Sequence, residues 1–158
     1  MQGGFFDMKY IKGLLWLLVF LVMAVIYNFS AQPASASDKA SKNITKKIVN
    51  ILPQTKKLPE DKKQEKIKNM DGTLRKFAHF ILFFILGIVV FLALLVNLNF
   101  SSIWRLWAVC LVICILYAAF DEAHQLFVDG RSAEVRDIAI DFTGSFTGSG
   151  LIMLILKK

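Results

Sequence analysis

Four stretches of this chain carry apolar residues at nearly every position, roughly Tyr10–Phe29, Leu74–Val96, Ile103–Phe120 and Ile138–Leu156. Each approaches the ~20 residues needed to cross the hydrocarbon of a bilayer. Strand-type alternation is absent, and backbone amides in lipid must be satisfied within their own segment, so the runs predict helices. The expected fold is all-α: a four-helix transmembrane bundle forming one membrane domain over residues 1–158, with a basic, partly amphipathic loop at 30–73 between helices one and two.

Within that loop the pattern changes twice. Over Asp38–Leu52, Ala40, Ile44, Ile48, Ile51 and Leu52 recur at helical spacing, with lysines mostly on other faces. Ser37 or Asp38 can cap the start and Pro53 helps end it. This predicts a short amphipathic helix, either lying among lipid head groups or packed on the rest of the protein. From Gln54 to Asn69 the residues are chiefly Lys, Glu, Gln and Pro, which predicts a mobile linker. The first apolar run has a second reading as a signal peptide: Lys9 and Lys12 precede it, and Ala34-Ser35-Ala36 resembles a small-residue cleavage site. Its continuation to Phe29 is long for that role.

Composition sharpens the membrane assignment. The chain is 56% hydrophobic, and its mean hydropathy is +0.54. The net charge of +7 is concentrated in Ser30–Thr73, where ten lysines face five acids. Beside a membrane, each such lysine attracts anionic lipid head groups by ~1 kcal/mol. Nucleic acid is not an expected partner, because aromatic interleaving and binding motifs are missing. Cys110 and Cys114 lie one turn apart inside the third run, a poor disulfide geometry, and read as packing residues. Gly144 and Gly148 form a Gly-x-x-x-Gly pair suited to close helix contact.

Connectivity then locates the chemistry. The end of the first span, the start of the second, the end of the third and the start of the fourth share one membrane face. Arg75, Lys76 and His79 therefore meet Asp121, Glu122, His124, Gln125 and Arg131, together with Asp137 and Asp141. Charge at the edge of hydrocarbon is costly unless paired or hydrated, which makes this cluster a candidate site. Asp121 with His124, and Glu122 with Gln125, are three apart and can share a helix face. Asp137 and Asp141 are four apart, so two carboxylates stack, which should raise one pKa or recruit a cation such as Arg131, Arg136, Arg75 or a metal. Gly130 suits the chain reversal before Arg131.

Three functions compete for these residues. One is a buried ion-pair and hydrogen-bond network that fixes the bundle. The second is a binding site for a lipid-linked or phosphate-bearing molecule, with Arg75, Lys76 and Arg131 on the anionic groups. The third is a hydrolytic or transfer site using His79, His124 and the carboxylates as acid, base or metal ligands. No nucleophilic-serine motif, phosphate loop or dinucleotide fingerprint is present, and the sequence names no cofactor.

Several blocks resemble the VanZ-like family of bacterial membrane proteins. They are Phe29-Ser30-Ala31-Gln32-Pro33, Arg75-Lys76-Phe77-Ala78-His79-Phe80, Tyr117 through Arg131, and Asp137-Ile138-Ala139-Ile140-Asp141-Phe142-Thr143-Gly144. One departure is Asp129, where the family often has proline before the glycine; it should loosen the turn and add a carboxylate beside Arg131. The family takes its name from a protein associated with low-level teicoplanin resistance. The resemblance implies a multi-pass protein of the bacterial cell membrane, with a lipid-linked cell-wall precursor or the glycopeptide itself as a candidate partner. It assigns the polar residues no roles. Orientation stays open. Fourteen Lys and Arg lie on the face of the long loop against five on the other, which favours a cytoplasmic site; a role at the cell-wall surface and the Lys9/Lys12 start favour the reverse.

Overall fold

A computed structural model describes residues 3–51 and 59–157. Its regular structure is helical throughout: α1 (Gly3–Ser30), α2 (Ala34–Ile51), α3 (Glu60–Asn97), α4 (Ile103–Gln125) and α5 (Val135–Leu156). Lys9–Ser30 of α1, Gly72–Asn97 of α3, and all of α4 and α5 are long and apolar enough to cross a membrane. These are the four expected spans. Leu14, Leu17 and Phe20 of α1, Leu116 and Phe120 of α4, and Leu151 and Leu154 of α5 are exposed on the outside of the bundle. So broad an apolar surface would drive a soluble protein to aggregate; in a bilayer it is the lipid-facing side.

α3 is the central helix and packs against each of the other four. Phe83, Leu86, Val90 and Phe91 are buried along it. Lipid tails are as apolar as Leu, so helices in a bilayer are held by close packing and polar contacts rather than by the hydrophobic effect. The α3–α5 seam meets that demand. A Cβ on Gly144 or Gly148 would strike the carbonyl oxygen of Phe80 or Phe84, and one on Gly87 would strike that of Ser145. Elsewhere the Trp107 indole donates to Ser149 Oγ at 3.0 Å, and the Tyr117 hydroxyl donates to the Met23 carbonyl at 2.6 Å. These bonds tie α4 to α5 and to α1. Cys110 and Cys114 are buried and unlinked, and the Cys110 thiol lies 3.5 Å from the Gly87 carbonyl.

The long loop is more ordered than its composition suggests. α2 starts directly after Pro33, whose carbonyl accepts from the amides of Ala36 and Ser37, rather than at a Ser37 or Asp38 cap. It packs against α3. The buried stripe is Ser41, Thr45 and Val49, while Ile44 and Ile51 are exposed; Leu52 and Pro53 lie outside the described residues. The expected linker is corrected more strongly. Residues 60–69 are helical and continuous with the second span, and Ile67 is buried; 54–58 lie outside the described residues. Lys, Glu and Gln are good helix formers, and extending a helix already nucleated in the bilayer costs little. α4 likewise runs past Phe120 to Gln125, because Asp121, Glu122 and Gln125 find polar partners there.

Candidate functional site

The C-terminal ends of α1 and α4 meet the membrane entry of α3 and the start of α5 at one end of the bundle. A cleft of about 180 Å³ opens there, lined by Arg75, Lys76 and His79 of α3, Gln125 of α4, Arg131 of the connecting loop, and Asp137 and Asp141 of α5. It divides physically into a rim, a brace and a floor.

The rim carries two basic side chains loosely paired with three carboxylates. Lys76 Nζ lies 2.5 Å from Asp137 Oδ1 and 3.3 Å from Glu134 Oε2. Arg75 Nη1 lies 3.0 Å from Asp38 Oδ1 of α2. Both basic side chains are 37% exposed. Ion pairs this wet contribute ~1 kcal/mol or less, so an anionic ligand can displace them at small cost.

The brace is built on Arg131. Its Nε donates to the Gln32 carbonyl at 3.0 Å and its Nη2 to the Phe29 carbonyl at 3.2 Å. These carbonyls lie at and just beyond the end of α1, where a guanidinium is favoured by both hydrogen bonding and the helix dipole. Nη1 donates to Gln125 Oε1 at 3.1 Å. Burial, and then the charge of Arg75, hold the Arg131 guanidinium below its ordinary pKa, though an arginine stays protonated. The Gln125 amide in turn donates to Asp121 Oδ2 at 3.2 Å and Glu122 Oε2 at 3.4 Å. The other Glu122 oxygen accepts the amide of Glu134, the residue that caps α5. Glu122 thus supplies from α4 the carboxylate that a capping box would place on α5 itself. Gly130 makes the reversal at φ 74°, a conformation that favours glycine, and the Asp129 carbonyl accepts from the first amide of α2.

The floor is buried and incompletely satisfied. Asp121 is 0% exposed and Asp141 2%. Ser30 Oγ donates to Asp121 Oδ2 at 2.7 Å, but among the described residues Asp121 Oδ1 has no hydrogen-bond partner, and neither has Asp141 Oδ1. His79 Nδ1 stands 3.6 Å from Asp141 Oδ1, beyond a good hydrogen bond. Buried carboxylate oxygens are costly to leave unpaired, so such a floor requires a ligand or a proton.

A family model described as VanZ/LLP1 matches residues 15–156, which contain every residue of this cleft. The chain belongs to the VanZ/LLP1 family. No curated protein and no solved structure matches it. What family membership and the four spans establish together is a multi-pass membrane protein of the VanZ/LLP1 type; the chemistry of the cleft has to be read from the cleft.

The sequence-predicted residues fall into two groups. Arg75, Lys76, His79, Gln125, Arg131, Asp137 and Asp141 line the cleft, with Asp121 and Glu122 buried beside it. His124 is not brought in. Its ring packs tilted against that of Tyr27 with centroids 4.3 Å apart, and Asp121 pairs with Ser30 and Gln125 instead of His124. The cation recruited by Asp137 is Lys76, not Arg131, Arg136 or Arg75. Glu134 and Asp38 went unrecognised as partners. Each is an ordinary loop or helix-start acid in one dimension, and only the three-dimensional course of the chain sets it against Lys76 or Arg75.

Proposed function

We propose that the cleft binds the anionic head group of an envelope amphiphile, either a lipid-linked cell-wall precursor or an acylated glycopeptide such as teicoplanin. The observation that carries this reading is the pair of exchangeable basic side chains, Arg75 and Lys76, beside Arg131 at the membrane edge. Size supports a head group rather than a whole molecule. The cleft is smaller than the roughly 300–1,000 Å³ that engulfs a drug-sized ligand, and the exposed apolar flanks of the bundle leave an acyl or prenyl chain in lipid. Anionic lipids and the bilayer itself are partners on the same chemistry. The test is teicoplanin susceptibility of bacteria expressing the protein. Lys76→Ala and His79→Ala are expected to remove any protection at unchanged membrane abundance; protection equal to that of the unaltered protein would refute the reading.

A second reading, a membrane-embedded enzyme acting on a lipid-linked substrate, is favoured by one observation: His79, Asp121 and Asp141 converge within 4.8 Å. Turnover of a prenyl phosphate by the purified protein, abolished in Asp141→Asn, would support it, whereas binding without turnover would favour a binding protein.

A further inference from the structure

We infer that His79, Asp121 and Asp141 hold a divalent first-row transition-metal ion at the floor of the cleft. One ligand atom from each lies within 4.8 Å of the other two. Ligands bound at about 2.0–2.2 Å sit about 3.4 Å apart when tetrahedral and up to about 4.4 Å apart when opposite one another. The 3.6 Å between His79 Nδ1 and Asp141 Oδ1 already matches the first arrangement. The third atom, within 4.8 Å of the other two, would have to close on the ion by side-chain rotation.

Three further features point to a cation rather than to a mere acidic cluster. Asp121 and Asp141 are almost wholly buried, and each keeps one oxygen without a hydrogen-bond donor among the described residues. The other Asp121 oxygen is held by Ser30 and Gln125, the outer-shell hydrogen bonding that orients a ligating carboxylate. Formal charge agrees as well. Asp121, Glu122 and Asp141 are three buried carboxylates, and the cation bonded into their network is the half-buried Arg131, so negative charge is in excess there. Lys76 is shared by Asp137 and Glu134 and so does not offset that excess. A mixed imidazole and carboxylate set suits Zn²⁺ or Mn²⁺ better than Mg²⁺ or Ca²⁺. Three protein ligands leave a coordination position open, and His79 and Asp141 both line the cleft. This inference does not rest on the head-group reading, because metal binding is measurable with no other ligand present.

The test uses the full chain, purified in detergent, stripped with chelator, equilibrated with Zn²⁺ or Co²⁺, and desalted. Elemental analysis is expected to give about one ion per chain, with affinity reduced at least about tenfold in Asp121→Asn and in Asp141→Asn, and less in Ser30→Ala. Asp137→Asn, in the same cleft but outside the triad, should keep its metal. Should the buried variants fail to fold, the Co²⁺ spectrum of the unaltered protein decides. Bands of nitrogen and oxygen ligation support the site, and thiolate charge-transfer bands would assign the ion to Cys110 and Cys114 and overturn it. No ion retained by well-folded protein, or full retention in the folded Asp121→Asn/Asp141→Asn double variant, would also overturn it and leave a proton shared between the two carboxylates.

Discussion

At the scale of single residues, the polar cluster contains two kinds of side chain that look alike in the sequence. Arg131, Gln125 and Glu122 spend their hydrogen bonds on backbone, on one another and on Asp121. Among the described residues Lys76 and Arg75 make solvent-accessible pairs, and Asp121, Asp141 and His79 keep unused capacity at depth. Arg131 shows the difference best. As an isolated basic residue after a glycine it reads as an anion binder, yet its donors go to the Phe29 and Gln32 carbonyls. Arg131→Ala is therefore expected to cost about 1–3 kcal/mol, the cost of leaving such acceptors and Gln125 without their charged donor. Thermal unfolding in detergent checks this: a midpoint clearly below that of Lys76→Ala is expected, and an unchanged midpoint would deny Arg131 its bracing role. Sequence reasoning finds the members of the cluster because charge at the edge of lipid is conspicuous. It does not separate braces from free groups, since that depends on acceptors contributed by backbone far away in the chain.

At the scale of elements, the four spans are legible because little besides a membrane crossing produces apolar runs of bilayer length. The Gly144–Gly148 pair is legible as a contact surface too. Gly87 is not, because its need for a bare backbone arises only from the register that sets it against Ser145. Gly144→Ala is expected to force α3 and α5 apart and destabilise the fold by about 1–3 kcal/mol or more, as overpacking does in tightly packed interiors. It should also weaken ligand binding, since Lys76 and His79 stand on one side of that seam and Asp137 and Asp141 on the other. Loss of stability and of binding together, measured by thermal unfolding and titration, is the predicted outcome; Gly13→Ala, which meets no neighbouring atom, is its control. The α2 face and the α3 extension depart from expectation for one reason. Polarity in a sequence suggests solvation or disorder, but Ser41 and Thr45 are buried where α2 packs on α3, and Lys, Glu and Gln sustain a helix without burial.

At the scale of the molecule, an even number of crossings between its polar blocks brings every block to one face, whatever the orientation. That inference needs only the spans and the order of the motifs, and the cleft lies at the end it indicates. A site for an externally supplied glycopeptide requires this end to face outward. Asp129→Cys, in the exposed turn, is expected to react with a membrane-impermeant maleimide in intact cells; the native cysteines are buried and give little background. Labelling only after permeabilisation would place the cleft inside and restrict its ligands to cytoplasmic ones. The central claim, that this cleft recognises an anionic head group, is tested most directly by comparing a prenyl phosphate with the prenol of equal chain length by native mass spectrometry of the purified protein. The account predicts selective retention of the phosphate, reduced about tenfold or more in an Arg75→Ala/Lys76→Ala variant, the loss of roughly one charge-assisted contact. Equal retention of phosphate and alcohol, or selectivity undiminished in that variant, would contradict it.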